Sequence, residues 1–478
     1  MPAIMQTFPL YYFLPDIQYV KAKIMRVMQG QLFADPVTNF PSFHPPFYHL
    51  LLSFMVRAGI DLDRALVLIA AMNMILTIVL AYLVIKNMWD RETALLTAAM
   101  IPFLLNYMGP GYPFLATAFY FSVPIFLTGL WLYTMPSNNW QLACGTGLLW
   151  GTAFLISPVY LFLVGFLAAY ELFLRKNVAK SGLTAGVFLL VIIPFYVQAY
   201  TLYGIGMEGT SAFAVWRGVP DALWFKTTIM YFISPNSEHL SFWQFIPIVL
   251  ILAMGIGALW RFGSHRPLLA VAALAYLFTM YHFNKQYASR ILFFYSIFWM
   301  AGAVHFIKAR AKPRLWAYVL IVPLILYGIT DHLVTTTRLF SAQEQNVKAD
   351  KQAAALLTPI LKKIIGPQDR IFATEKTYRM SIMPYIPVFG LMAYKSGEYF
   401  QLGSTVAKEM RSDYDELLAA TQVDVVEFFC RKYNIQAAVA GDIKEMYSPV
   451  FQTIDQNWPL IYKDDHFRVY RRPRKNFE

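Results

Sequence analysis

About ten apolar runs, each near the ~20 residues that a bilayer core demands, leave this chain few ways to fold. They lie at approximately 64–85, 92–108, 113–133, 140–157, 158–174, 183–203, 242–260, 267–282, 288–307 and 315–334. Inside a bilayer no water meets the backbone amides, so such runs must close their hydrogen bonds within helices. Charge is correspondingly scarce. Asp, Glu, Lys and Arg make up 14% of the residues, against roughly 25% in soluble domains. With a mean hydropathy of +0.45, an ordinary soluble enzyme and a disordered chain are both excluded.

The charge that exists is unevenly placed. Residues 1–339 carry 21 Lys/Arg against 11 Asp/Glu, and residues 340–478 carry 19 against 17 in less than half the length. This divides the chain into an N-terminal segment (1–63), a membrane-embedded helical part (64–339) and a tail of soluble composition (340–478). The basic excess belongs to loops beside a lipid surface, so membrane lipids are expected partners and nucleic acid is not. One set of loops holds Lys86 and Arg91, then Arg175, Lys176 and Lys180, then Arg261 and Arg266, then Lys308, Arg310, Lys312 and Arg314. Positively charged short loops stay in the cytoplasm. The segment before residue 64, the loops 204–241 and 282–290 and the tail then fall on the opposite, outer face. The expected class is a polytopic α-helical membrane protein with a C-terminal soluble α/β domain.

Two outer stretches have helical spacing. Ile17, Val20, Ile24, Val27 and Met28 share one helical face, with Gln18, Lys21, Lys23 and Arg26 largely elsewhere. That pattern predicts an amphipathic helix lying in the membrane interface. A second helix, at about Phe47 to Val56, is too short to span. In the tail, Asn346 to Ile365 and Tyr414 to Tyr433 read as helical, and Arg370 to Ala373, Gln436 to Ala440 and Phe467 to Tyr470 as strands. The two cysteines, Cys144 and Cys430, lie in different parts, so neither a disulfide nor a metal cluster is expected from them.

Few ionisable residues on the outer face suit chemistry. Asp16 follows Pro15 at the start of the amphipathic helix, where the dipole favours a carboxylate. It is either an N-terminal cap or a general base at the membrane surface. Lys285 and Arg290 lie in the stretch Tyr281-His282-Phe283-Asn284-Lys285-Gln286-Tyr287-Ala288-Ser289-Arg290. They either snorkel at a helix end or hold a phosphate by charge-assisted bonds. Glu238 and His239 are accessory candidates beside the simpler reading of a solvated loop. His49, on an apolar helix face, reads as a packed histidine. Asp331 and His332 read as marks of the interface at the end of the last run.

The stretch Pro15-Asp16-Ile17-Gln18-Tyr19, Gly30, Phe33-Ala34-Asp35-Pro36, His44-Pro45-Pro46-Phe47-Tyr48-His49-Leu50-Leu51-Leu52 resembles the first outer loop of the GT-C glycosyltransferases. These are multi-spanning enzymes that use lipid-phosphate-linked sugars. The resemblance implies that Asp16 is the catalytic residue and that His44 sits in the matching proline-rich turn. It implies that Lys285 and Arg290 hold the donor phosphate. The tail stretch Phe428 to Val439 and the pair Trp458 to Tyr462 and Phe467 to Tyr470 resemble the terminal domain of bacterial members, which makes Tyr399 and Arg411 candidate acceptor contacts. By the same resemblance the chain is expected in a prokaryotic inner or plasma membrane, with its C-terminal domain on the extracytoplasmic side. Residues 108–112, in the next outer loop, contain no acid, so a two-carboxylate metal site is not expected. No cofactor is implied, and a divalent cation has no paired carboxylates to hold it.

Only fifteen residues precede Asp16. As a helix they would reach about 22 Å at 1.5 Å per residue, short of the ~30 Å core. Where the family has a full first span, this chain is expected to have further residues upstream, or a membrane-protein partner that supplies the helix, or to be a derived non-catalytic member. Three functions follow in order of expectation. The first is inverting transfer of a sugar from a polyprenyl-phosphate donor to an acceptor on the outer face, with Asp16 as base. The second is a non-catalytic subunit of the same fold in a membrane complex. The third is a lipid or solute transporter, disfavoured because the runs hold hardly any mid-membrane charge.

Overall fold

The computed structural model describes residues 15–32, 47–107, 118–135, 139–156, 160–174, 176–203, 297–309 apart from 299, scattered positions in 318–330, 352–366, 369–373, 386, 404–441 and 446–473. They fall in two compact units. One comprises Met1–Ala65, Thr201–Ala214 and Ser341–Glu478, the other Leu66–Tyr200 and Val215–Phe340.

The second unit is helical. Its described helices are α3 (Leu62–Met88), which begins in the first unit, α4 (Arg91–Tyr107), α5 (Ala118–Thr134), α6 (Trp140–Ile156), α7 (Leu161–Ala169) and α8 (Val178–Tyr203). A π turn, Tyr170–Leu174, continues α7, and residues 300–309 form a further helical stretch. Among the described residues, Arg64–Met88 and Val178–Val197 are long and apolar enough to cross a membrane. Short polar side chains start several helices by accepting from a first-turn amide. Asp61 takes the amide of Arg64 at 3.3 Å, Asp90 that of Thr93 at 2.9 Å, and Asn177 that of Lys180 at 3.1 Å.

Aromatic stacking fills this unit's core. Phe126 of α5 lies between Tyr160, 4.5 Å away at 8°, and Trp150 of α6, 5.5 Å away at 15°. The polar tips of both partners are satisfied: Tyr160 and Ser122 share a hydroxyl hydrogen bond at 2.9 Å, and Trp150 Nε1 donates to the Phe126 carbonyl at 3.3 Å. Small residues let helices approach closely. A Cβ on Gly147 would meet the Thr184 carbonyl at 2.5 Å, and one on Gly151 would meet Val191 Cβ at 2.8 Å, so α6 and α8 are in backbone contact range.

The first unit joins two N-terminal helices, α1 (Pro15–Met28) and α2 (Phe47–Arg57), to an α/β tail. The tail holds a helical stretch at 352–364, then β1 (Arg370–Ala373), α9 (Ser404–Leu418), α10 (Val423–Lys432), β2 (Ile435–Ala440), α11 (Pro449–Asn457), β3 (Leu460–Lys463) and β4 (Arg468–Arg471). Its sheet runs β1-β2-β4-β3. β1 and β2 are parallel, with Phe372 opposite Ala438. β2 and β4 are antiparallel, with Val439 opposite Val469, and β3 pairs antiparallel with β4 at the edge. The two parallel strands are almost wholly buried, which explains why they read as near-continuous apolar runs.

Candidate functional site

The helix that carries Asp16 differs from its expected setting. Five consecutive residues, Val20, Lys21, Ala22, Lys23 and Ile24, are all buried, as are Arg26 and Val27. Five residues in sequence cover every direction around a helix of 3.6 residues per turn. The α1 helix is therefore enclosed by protein, and does not lie with one face open as its apolar stripe predicts. Lys23 has no exposed surface at all. Burial of three cations is expensive unless each is partnered, and Arg26 Nη1 reaches Gln31 Oε1 at 3.4 Å and Gln29 Oε1 at 3.5 Å.

Local chemistry fixes where α1 and α2 stop. Gly30 and Gly59 have φ of +82° and +90°, a left-handed conformation that favours glycine. Each closes the same C-terminal motif. The Gln31 amide donates to the Arg26 carbonyl at 2.9 Å, and the Ile60 amide to the Met55 carbonyl at 3.1 Å, the six-to-one bond of such ends. Arg57, at the end of α2, donates to the Met28 carbonyl at the end of α1 at 3.0 Å. A cation there also complements the negative end of the helix dipole.

The two faces of α2 differ sharply. Tyr48, His49, Leu52 and Ser53 are buried, while Phe47, Leu50, Leu51 and Phe54 are exposed. His49 packs edge-on against Tyr48, ring centres 5.3 Å apart, as its apolar surroundings in the sequence suggest. The open stripe has the i, i+3, i+4, i+7 spacing of one helical face. The exposed apolar stripe is on α2, whereas the stripe of α1 is largely buried.

Of the residues singled out by the sequence, Asp16 is the second residue of α1, in the first turn, where a carboxylate is favoured. Arg411 lies within α9. His44, Glu238, His239, Lys285, Arg290 and Tyr399 lie outside the described residues. Among the described residues no group of three or more His, Cys, Asp or Glu is placed to hold a metal.

Sequence reasoning missed two polar clusters. At the corner between α3 and α4, Lys308 Nζ bridges Asp90 Oδ1 at 2.7 Å and Glu92 Oε2 at 2.8 Å. His305 Nδ1 lies 3.3 Å from Asp90 Oδ2, the Thr93 hydroxyl donates to the same oxygen at 2.7 Å, and Tyr318 donates to Glu92. Burial alone would push the Asp90 carboxyl up, but the Lys308 ammonium and the Thr93 bonds outweigh it and hold it well below the usual carboxylate range. The signal was the spacing Asp90-x-x-Thr93, a helix-start pattern. In the tail, Glu427 of α10 accepts from Arg472 Nη2 at 2.6 Å and Nε at 2.9 Å and from Trp458 Nε1 at 3.3 Å. No local pattern links three residues so far apart in sequence.

No family model and no curated protein sequence matches the chain. Solved structures do. ArnT from Cupriavidus metallidurans bound to undecaprenyl phosphate is similar over 99% of this chain and 97% of its own, at a TM-score of 0.62 and 13% identity. The same enzyme in the apo state gives 95% and 92%, 0.59 and 14%. The Archaeoglobus fulgidus oligosaccharyltransferase in the apo form is similar over 96% of this chain and 71% of its own, at 0.53 and 15%. The fold of the chain is the GT-C fold of these membrane proteins.

Proposed function

We propose that this protein is a membrane glycosyltransferase of the GT-C kind, which moves a sugar from a polyprenyl-phosphate donor to an acceptor on the outer face of the membrane. The observation that carries the reading is the likeness to ArnT over nearly the whole of both chains, in a form bound to undecaprenyl phosphate. The position of Asp16 adds support: it stands in the first turn of a helix that the protein encloses.

In this reading the chain crosses the membrane about ten times, and the inside-positive loops put 1–63 and 340–478 on the outer face of a prokaryotic plasma membrane. The open apolar stripe of α2 meets the lipid. The donor enters from the bilayer, and Lys285 and Arg290 hold its phosphate by charge-assisted hydrogen bonds. The Asp16 carboxylate takes the proton of an acceptor hydroxyl. The acceptor oxygen bonds to the anomeric carbon from the face opposite the phosphate. The bond from that carbon to the phosphate oxygen breaks with its electron pair, releasing polyprenyl phosphate and inverting the anomeric centre. The chemistry needs no redox cofactor, and Tyr399, Arg411, His44, Glu238 and His239 are the candidates for acceptor and accessory contacts.

The test compares envelope glycans and glycolipids by mass spectrometry in wild type, a deletion strain, and the deletion carrying Asp16→Asn. One sugar mass is expected to vanish in the deletion and to stay missing with Asp16→Asn present at normal protein level. Restoration by Asp16→Asn would remove Asp16 as base. An unchanged deletion strain would favour the non-catalytic subunit of the same fold.

A further inference from the structure

The α1 helix and the tail share a core. Ala22, 2% exposed, belongs to the same contiguous hydrophobic cluster as Leu357 and Leu361 of the 352–364 stretch, Ile371 and Phe372 of β1, and Tyr414 of α9. Among the described residues, every other member of that buried cluster lies in 353–470. So an alanine from the other end of the sequence, more than three hundred residues away, joins the described core of the tail. Alanine suits the place. A residue without side chain beyond Cβ lets a helix backbone approach a packed surface closely, and core packing at native density does not admit extra methylenes without displacement.

This contact acts on the candidate base. Asp16 and Ala22 stand on one continuous helix. They are six positions apart, about 9 Å along the axis and about 120° around it at 3.6 residues per turn. The tail therefore seats α1 on a face turned away from the Asp16 position. The far end is held too, by Arg57 on the Met28 carbonyl. A 14-residue helix that packs at its middle into a core and is bonded at its C-terminus by a cation is anchored at two points, which constrains the place of its first turn.

We propose that Ala22 is a positioning residue, and that the tail domain works by seating the Asp16 helix through it. The proposal rests on the reading of Asp16 as base. It gives the tail a role in the chemical step itself, distinct from acceptor binding. A larger side chain at position 22 shifts the helix against the core that holds it. A misplacement near 1 Å costs on the order of 10²-fold in rate, and such a loss appears in kcat because ground-state binding is untouched.

The experiment uses the full-length protein in a Cys144→Ser background, with Ala22→Val, Ala22→Phe and Ala22→Ser, and Asp16→Asn in parallel. Transfer is followed with a polyprenyl-phosphate sugar and native envelope lipid as acceptor. Folding of the tail is followed by protection of the buried thiol of Cys430. The expected result is kcat lowered at least tenfold in Ala22→Val and further in Ala22→Phe, donor KM within threefold of the parent, Cys430 protected, and Ala22→Ser near the parent. If Ala22→Phe exposes Cys430, Ala22→Val decides. Parental kcat in the larger variants with Asp16→Asn inactive overturns the positioning role and leaves the base in place. A rise in KM with kcat unchanged overturns it in favour of acceptor or donor binding. An active Asp16→Asn overturns the base instead, and a kcat loss at position 22 would then concern some other group on α1.

Discussion

Replacing Glu427 by glutamine removes one charge from the best-satisfied ion pair of the tail, and the consequence can be sized. The side chains of Glu427 and Arg472 are 8% and 12% exposed. Two guanidinium nitrogens share one carboxylate oxygen, and the Trp458 indole holds the other. Breaking a buried pair by removing one partner costs about 3–5 kcal/mol, because the remaining charge stays buried alone. Glutamine keeps the shape and one carbonyl acceptor, and Arg472 has some contact with solvent, so the lower end, about 3 kcal/mol, applies. At 1.36 kcal/mol per decade, that is roughly a 100-fold rise in the open population. Cys430 reports it directly. It lies three residues on along α10, is 1% exposed, and burial pushes its thiol up to about 12, with Arg472 pulling down and Glu427 pushing further up. Such a thiol reacts only when the tail opens. In a Cys144→Ser background, under conditions where reclosing outpaces labelling, Glu427→Gln is expected to speed labelling of Cys430 by about two orders of magnitude. Glu427→Gln combined with Arg472→Leu should return most of it, since removing both charges leaves nothing unpaired. A labelling rate for Glu427→Gln within threefold of the parent would refute the reasoning.

Other perturbations have equally definite outcomes. Gly147→Ala puts a Cβ 2.5 Å from the Thr184 carbonyl, so α6 and α8 must part at a cost of about 1–3 kcal/mol. Its thermal midpoint in detergent should fall, while that of Gly165→Ala, where a Cβ meets nothing within 4 Å, should hold or rise. Asp90→Asn keeps a good helix cap but loses the charge facing Lys308, whereas Asp90→Ala loses both, so the alanine variant should unfold lower by a further ~1 kcal/mol. The Asp90 carboxyl is held low, so its contribution is present above the unfolded value near 3.9 and is lost only as pH falls through the lower folded value. The difference between parent and Asp90→Asn should therefore be flat from pH 5 to 8 in thermal unfolding, and a slope across that range would overturn it.

Much of the helical part could be read from hydropathy alone, because a bilayer leaves the backbone no alternative to helices. The boundaries moved where a polar residue serves the structure. α8 was expected from residue 183 and begins at Val178, since Asn177 starts it and Lys180 is absorbed: its ammonium donates to the Tyr133 carbonyl at 2.8 Å, lies 4.4 Å over the Tyr133 ring and pairs with Glu171 at 3.7 Å. A count of apolar residues treats that lysine as a loop marker. The run expected at 158–174 contains α7 and then a π turn, which no periodicity announces. In the tail, β1 was legible because all four of its residues are buried.

The setting of α1 was not legible, and the reason is physical. Its apolar stripe is a true local pattern, but Ala22 is off that stripe and carries too little surface to weigh in any moment. Lys21, Lys23 and Arg26 look solvent-facing because a local pattern carries no record of burial. Burial of such cations is decided by tertiary pairing. ArnT shares the fold of this chain and little of its sequence. At 13% identity over 99% of the chain, few side-chain contacts can be common to the two proteins. What is shared at that distance is the fold. A base on α1 asks for one acidic residue in the first turn and a helix held still behind it. The second demand can be met by any small residue facing any well-packed core. Positioning of this kind leaves almost no motif, which is why it emerges from burial and core membership, not from residue identity.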